Sequence, residues 1–430
     1  MTTQHSAIYD AIVVGARCAG APTAMLLARK GYRVLLVDRA TFPSDIMSGH
    51  LIHPAGVVLL QRWGLLDKVA ASNCPPIHNI RFDFGPKFFV GSSQPKEGIS
   101  NSYGVRRKYL DKILVDAAQE AGVELRQGFS VQEILMEGDH VTGIQGRTKD
   151  GTIVTAKARI VIGADGMNSF VARSVAAPAH HIRPSMTGCY YSYWKNLPLD
   201  IGEVFIRDGR FISTQPTNDG LTQVFVQFPY DEFQNFRTDV EGNFLKSLDI
   251  VPDLAERVRN AERVEPFVGT SNNINFFRKA FGRGWALAGD ARYHVDPLTA
   301  QGITNSFEDA AQLAEAIASA FSGNLSMDVT LAAYEQQRNA EVMPMYEMTC
   351  GMARLELPPP EMQQLFFALC NNPTDARSFF GVIAGTVSIS DFYSPANMQR
   401  IIEASYKPDN EVRSSATPAD RHREPQLAKV

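Results

Sequence analysis

An α/β fold is predicted by three observations on this 430-residue chain. Tyr9 to Arg39 (YDAIVVGARCAGAPTAMLLARKGYRVLLVDR) runs apolar strand, glycine turn, helix, apolar strand and acid, the order of a Rossmann-like unit. From about His180 to Phe267 the texture changes to strand-like, aromatic-rich segments that suit an antiparallel sheet. The opening texture then returns at Gly284 to Asp290 (GWALAGD). The expected architecture is therefore a discontinuous Rossmann-like domain with an inserted antiparallel-sheet domain and a helical C-terminal segment.

Ala11 to Val14 is the short apolar run a buried parallel strand needs. Gly15, Arg17 and Gly20 make the turn, apolar residues at helical spacing follow, and Gly31 closes the helix. Val34 to Val37 is the second strand and ends at Asp38. Thr41 to His53, broken by Pro43 and Gly49, reads as a functional loop. A helix from Pro54 stops at Gly64, and Ile80 to Val90 alternates like sheet. Val105 to Gly122 is an amphipathic helix with Leu110, Ile113 and Leu114 in its stripe. Strands follow at 123–125, 130–136, 141–148 and 153–158, and a separate apolar strand at Arg159 to Ala164 leads into Asp165-Gly166. In the insert, four strands (187–194, 203–206, 209–215 and 221–229) precede one helix, Asn243 to Ala261. Gly302 to Phe321 is a long helix, and helices from Val329 to Ser405 break at Pro358 to Pro360. The domain boundaries expected are 1–79, 99–179 and 268–328 for the nucleotide-type domain, and 80–98 with 180–267 for the insert. The helical segment covers 329–405, and 406–430 is a polar, disordered tail.

Composition narrows the function classes. With 44% hydrophobic and 20% charged residues the chain suits an ordinary globular protein. A net charge of −4 gives no electrostatic basis for binding nucleic acid or anionic membrane. Its longest apolar runs fall short of the roughly 18 residues of a spanning helix. The first strand leaves no room for a signal peptide ahead of it, so cytoplasm is expected. Five cysteines, odd in number and without CxxC spacing, exclude a disulfide framework and a zinc site, and no metal is expected.

Three motifs carry the chemistry. In the first, Gly15 permits a tight turn, Gly20 lets helix and strand pack closely, and the helix N-terminus faces a pyrophosphate. Asp38 is placed to accept hydrogen bonds from ribose hydroxyls, and Arg17 stands where a glycine is usual. The second is Gly163-Ala164-Asp165-Gly166 with Ser169 and Arg173. In the third, Gly289-Asp290-Ala291 and Asp296-Pro297 lead through Thr299-Ala300-Gln301 to Gly302-Ile303. There the free N–H groups of the Gly302 helix suit an anionic ligand edge.

All three motifs in this order resemble the class A flavoprotein monooxygenases, the para-hydroxybenzoate hydroxylase fold group. That group's wider superfamily includes flavin-dependent halogenases and geranylgeranyl-reductase-like enzymes, and the likeness spans about residues 9–325. The resemblance implies FAD as cofactor, with Gly15, Arg17, Gly20, Asp38 and Arg39 at its ADP half, and Val131 touching the adenine through its backbone. It further implies Arg107 beside the flavin, Asp165 near the pyrophosphate, Gly289 and Asp290 at the ribityl chain, and Pro297, Gly302 and Ile303 against the flavin ring. The chain departs from the family pattern at Arg17, at Ala172-Arg173 in the second motif and at Tyr293 in the third.

What the resemblance implies chemically is a monooxygenase. NAD(P)H reduces FAD, O2 adds at C4a, and the hydroperoxide hydroxylates an aromatic or polyketide-like small molecule. His50, Tyr191 and Tyr193, with Tyr190, are candidates to bind or deprotonate a substrate hydroxyl, because their loop and sheet should border the flavin. The alternatives separate on sequence features. A halogenase of the superfamily is expected to carry W-x-W-x-I-P and a channel lysine, whereas the tryptophans here are only Trp63, Trp194 and Trp285. A geranylgeranyl-reductase-like enzyme needs a long apolar tunnel, and Tyr193 to Pro198 is loosely similar to that subgroup's sheet motif. A non-catalytic flavin-binding redox sensor is the third.

Overall fold

The computed structural model describes residues 8–405, and the tail expected at 406–430 lies outside them. Its central sheet has the order Phe281–Gly282, Trp285–Leu287, Ile153–Gly163, Tyr9–Val14, Val34–Asp38, Glu124–Gln127. All neighbours from Trp285–Leu287 to Glu124–Gln127 are parallel. Tyr9–Val14 sits in the middle, which is why it is apolar on both faces. Strand periodicity sends Ala11 and Val13 to the face covered by helices Gly20–Arg29, Arg107–Glu120 and Gly302–Phe321. Ile12 and Val14 point to the opposite face, covered by Val141 and Ile144 of a three-stranded antiparallel flap and by Phe129 just before it.

The two strands expected at 153–158 and 159–164 are one, Ile153–Gly163. Residues 153–157 pair antiparallel with Gly143–Arg147, and Ala158–Gly163 pair parallel with the Tyr9–Val14 strand. The change from alternating to continuous apolar residues marks a change of partner, because no turn-forming residue separates the halves.

A second sheet runs Glu262–Arg263, Thr187–Lys195, Thr222–Pro229, Arg210–Pro216, Gly202–Arg207, Ile80–Asp83, Phe88–Gly91. It is antiparallel as expected except at one pair. Gly202–Arg207 and Ile80–Asp83 are parallel, as strands from distant parts of a chain with no hairpin between them can be. The single helix expected at 243–261 is two, Val240–Leu248 and Pro252–Arg259, with Pro252 at the start of the second. C-terminal helices Pro360–Leu369 and Pro373–Ile383 close over Phe82 and Phe89 through Phe366, Phe379 and Phe380. Among the described residues no helix is long and apolar enough to cross a membrane, and no His, Cys, Asp or Glu cluster suits a metal ion.

Candidate active site

The glycine turn is dictated by backbone packing. Gly15 has φ +100°, and a Cβ there would lie 2.3 Å from the Ala164 carbonyl oxygen. A Cβ on Gly20 would lie 1.8 Å from the Gly15 oxygen. Gly20 is absent from the lining of the large cavity beyond the turn, and what its lack of a side chain allows is the close approach of helix to turn. A cavity of about 830 Å³ opens beyond the turn, near the upper end of the about 300–1,000 Å³ usual for small-molecule sites.

This cavity brings together Gly15, Arg17, Asp38, Arg39, Arg107, Val131, Asp165, Gly289, Asp290, Pro297, Gly302, Ile303 and His50. Asp38 is buried and oriented by its backbone, accepting 2.7 Å bonds from the Ala16 and Ala40 N–H groups. Each oxygen keeps a further lone pair for a hydroxyl donor. Arg17, in the unusual position, neither blocks the turn nor leaves its charge unmatched. Its guanidinium bonds fully buried Asp111 and, at 3.0 Å, Ser44 Oγ, tying the turn to the Arg107–Glu120 helix and the 41–53 loop. Asp111 also accepts from Arg107 at 3.0 Å. Burial opposes the Arg107 charge, but Asp111 and, further off, Asp290 more than offset it and hold the guanidinium protonated. Burial pushes the neighbouring Cys18 thiol up to about 12, which leaves it a packing group.

Asp165 is largely committed within the protein. It accepts from Ser169 Oγ (2.5 Å), Phe170 N (2.6 Å) and Val171 N (3.2 Å), and so holds the N-terminus of the Phe170–Ser174 helix. Asp290 is the opposite case. It lines the cavity, and its carboxylate has no hydrogen-bond donor among the described residues, so it is free to accept from ligand hydroxyls. Asp290→Ala is expected to purify largely without FAD. Losing charged hydrogen bonds, about 1.5–3 kcal/mol, weakens binding roughly ten- to hundred-fold. FAD content from the visible spectrum checks this, and a normal flavin load would remove Asp290 from the site.

The loop into the Gly302–Phe321 helix is anchored from the second sheet. Asp296, 1% exposed, accepts from Thr187 Oγ1 (2.6 Å), Gln227 Nε2 (2.5 Å) and Leu298 N (3.2 Å). Ala300 turns the chain with φ +54°, and a Cβ on Gly302 would meet no atom within 4 Å. The helix N-terminus thus opens on the cavity with free N–H groups. A glycine turn at one helix N-terminus, an oriented acid, an unpaired carboxylate and a second open helix N-terminus together form a donor set that suits FAD.

The catalytic candidates fare unequally. Strand alternation turns Tyr190 away from the cavity to stack on Phe233 and Phe236, with centroids 5.7 and 5.4 Å apart. Tyr191 and Tyr193 point towards the cavity side but do not line it, because the 46–50 loop stands in front of them. They support that loop. Tyr191 OH accepts from Ser48 N at 3.3 Å, and Tyr193 OH bonds His50 Nε2. Arg106 lies over the Tyr193 ring at 4.2 Å and pairs with Asp45 and Glu265 at 2.9 and 2.7 Å. His50 itself lines the cavity with φ +62° and its Nδ1 unpartnered.

Burial drives the His50 pKa down to about 3, against the pull of Asp45, and lowers that of buried His53 as well. Both rings resist protonation in the fold, whereas in the unfolded chain an imidazole takes a proton near its usual pKa of about 6.5. The unfolded state therefore binds more protons below 6.5, and stability present above that pH is lost as pH falls towards 3. His50 contributes up to about 1.4 kcal/mol per pH unit in that window. Urea midpoints should drop between pH 7.5 and 5, less steeply in His50→Asn, and equal slopes in the two proteins would refute the assignment.

Two features escaped the sequence reading. Asp309, 1% exposed, accepts from Gly289 N (2.9 Å), Arg292 Nη2 (3.1 Å) and Arg338 Nε (2.7 Å), and so supports the Gly289-Asp290 turn from beneath. An apolar chamber of about 110 Å³ adjoins the large cavity, sharing Gly49, Leu51, Phe225, Pro297 and Ala300 with it, and is lined further by His53, Phe82, Phe211, Phe379 and Phe380. The Pro54 that starts the next helix marked His53 as a boundary residue; only the tertiary fold brings it to a chamber.

Comparison with known proteins places these features in a family. Digeranylgeranylglycerophospholipid reductase 2 of Methanopyrus kandleri is 28% identical over 316 residues, 69% of this chain and 74% of its own length. The flavin-dependent brominase Bmp2 superposes with a TM-score of 0.78 at 21% identity, covering 93% of this chain and 99% of Bmp2. PqsL of Pseudomonas aeruginosa, a probable FAD-dependent monooxygenase, superposes with a TM-score of 0.67 at 20% identity, covering 88% and 99%. Residues 8–349 match the family model described as FAD binding domain, and the chain belongs to that family, within the class A flavoprotein superfamily.

Proposed function

We propose that this FAD-binding protein is a monooxygenase that takes electrons from NAD(P)H and hydroxylates a small aromatic substrate. The observation that carries the reading is the small apolar chamber joined to the cofactor cavity at the Pro297–Ala300 loop. Bound FAD would supply oxygen activation, and the chain's own residues would supply position, electrostatics and exclusion of water. Asp38, Asp290 and the two helix N-termini hold the cofactor. The Asp296 anchor keeps the loop against both cavities. Phe379, Phe380 and Phe82 keep water from the chamber.

The halogenase reading has the fold likeness to Bmp2 in its favour. Against it stand the absence of W-x-W and the lack of any lysine among the described residues lining either cavity. A long isoprenoid fits poorly in about 110 Å³, which counts against the reductase reading. The test is NADPH and NADH oxidation by the FAD-loaded protein, with and without phenols, alongside oxygen uptake and product mass. Substrate-stimulated oxidation with one oxygen atom added to the product is expected. A halide-dependent product, or oxidation indifferent to oxygen, would overturn the proposal.

A further inference from the structure

The chamber beside the cofactor cavity has a size, a charge and, in His53, a buried acceptor that together define what it takes. Its volume of about 110 Å³ compares with about 150 Å³ for an apolar cavity that binds benzene. One ring fills such a space, and a fused pair does not. No lysine or arginine is among its lining residues. Its carboxylate, Glu203, is already matched by Arg257 and Thr214 Oγ1, each at 2.9 Å. A substrate carboxylate would be desolvated there with no cation to meet it, which is strongly unfavourable.

The acceptor is His53, 2% exposed on the chamber wall. Its Nε2 lies 3.0 Å from the Thr299 carbonyl oxygen. A carbonyl oxygen only accepts, so Nε2 carries the proton, and in the neutral ring Nδ1 is a bare lone pair. The side chain makes no capping bond to the Pro54–Arg62 helix it precedes, and Nδ1 has no partner among the described residues.

We propose that this chamber binds a single uncharged ring bearing an O–H or ring N–H, and that His53 Nδ1 accepts that hydrogen bond. The inference rests on the monooxygenase reading for the meaning of the bound ring, although binding itself requires no turnover. The group His53 holds would be the electron-donating substituent of the ring, so the same contact orients the substrate and sharpens its electron density.

The test is calorimetric titration of the FAD-loaded full chain, without reductant, with phenol, anisole, 4-hydroxybenzoate and 1-naphthol. Phenol should bind at least about ten-fold tighter than anisole, one hydrogen bond's worth, and the charged and two-ring probes should not saturate. His53→Gln keeps a donor for Thr299 but loses the ring acceptor, so its phenol-to-anisole ratio should fall to near one with FAD content unchanged. If that variant folds poorly, His53→Asn, whose carbonyl replaces Nδ1, should preserve the ratio. Equal binding of phenol and anisole by the unaltered protein, 4-hydroxybenzoate binding as tightly as phenol, a ratio retained in His53→Gln or one lost in His53→Asn would each overturn the proposal. Selective phenol binding without phenol-stimulated NADPH oxidation would uphold the chamber and remove the monooxygenase reading. Stimulation by phenol and anisole alike, with equal affinity, would do the reverse.

Discussion

Asp309→Ala is expected to cost about 3–5 kcal/mol of stability, the usual result of breaking a buried ion pair by removing one partner. Arg292 and Arg338 are 0% and 1% exposed, so neither can turn its charge to water. Arg338 would keep Glu308 and Glu341, but Arg292 would be left with only the neutral Asn339 side chain at 2.7 Å. The variant also loses the acceptor for the Gly289 N–H, so the Asp290 turn should loosen and FAD retention fall with stability. Chemical denaturation of apoprotein and of FAD-loaded protein separates the two effects. A loss below about 1 kcal/mol in apoprotein would show that the charge cluster is solvated or rearranges. Asp309→Asn, which keeps the shape and an acceptor, should retain more FAD than Asp309→Ala at a similar cost in stability.

Gly15→Val is expected to give protein without bound FAD and with a large part of its stability gone. The residue sits at φ +100°, where a β-branched side chain is strained by about 1–3 kcal/mol. The new Cβ would also meet the Ala164 carbonyl at 2.3 Å. That carbonyl cannot retreat cheaply. Ala164 N donates to Val14 O and Gly15 N donates to Val37 O, both at 2.8 Å, so moving either neighbour unpicks the centre of the sheet. Overpacking of this kind costs about 1–3 kcal/mol more. Flavin absorbance and the denaturation midpoint read the two consequences, and a flavin-loaded variant of normal stability would contradict this backbone geometry.

The parts of the site that the sequence announced are those built from adjacent residues. The Gly15 turn, Asp38 at its strand end and the Gly302 helix start each depend on local conformation, and each motif brings its own punctuation. Arg17 was legible as an oddity, but its partner Asp111 is 94 residues away, so its role as a tie was not. Tyr190, Tyr191 and Tyr193 looked equivalent in the sequence, and strand alternation with the intervening 46–50 loop separated them. Asp309 resembled any acid on a helix, because the arginines that define it lie 17 and 29 residues away. The chamber was illegible for the same reason: its walls come from four strands of the second sheet, the 49–53 and 297–300 loops and the C-terminal helices.

The order of strands in the parallel sheet governs how the chain can fold as it is made. Its strands lie at 9–14, 34–38, 124–127, 158–163 and 285–287, so its last member leaves the ribosome some 270 residues after its first. About 120 of those residues separate Gly163 from Trp285, so at roughly 5–20 residues per second the nascent chain waits roughly 6–24 s with Val161–Gly163 open along one edge. The intervening antiparallel sheet is synthesised during that wait, yet its Ile80–Asp83 strand comes from ahead of it and its Phe cluster closes only with residues 366–380. Release of a ribosome-stalled chain at residue 280 should therefore yield a protease-sensitive, chaperone-dependent species, and protection should appear only once the C-terminal helices have emerged.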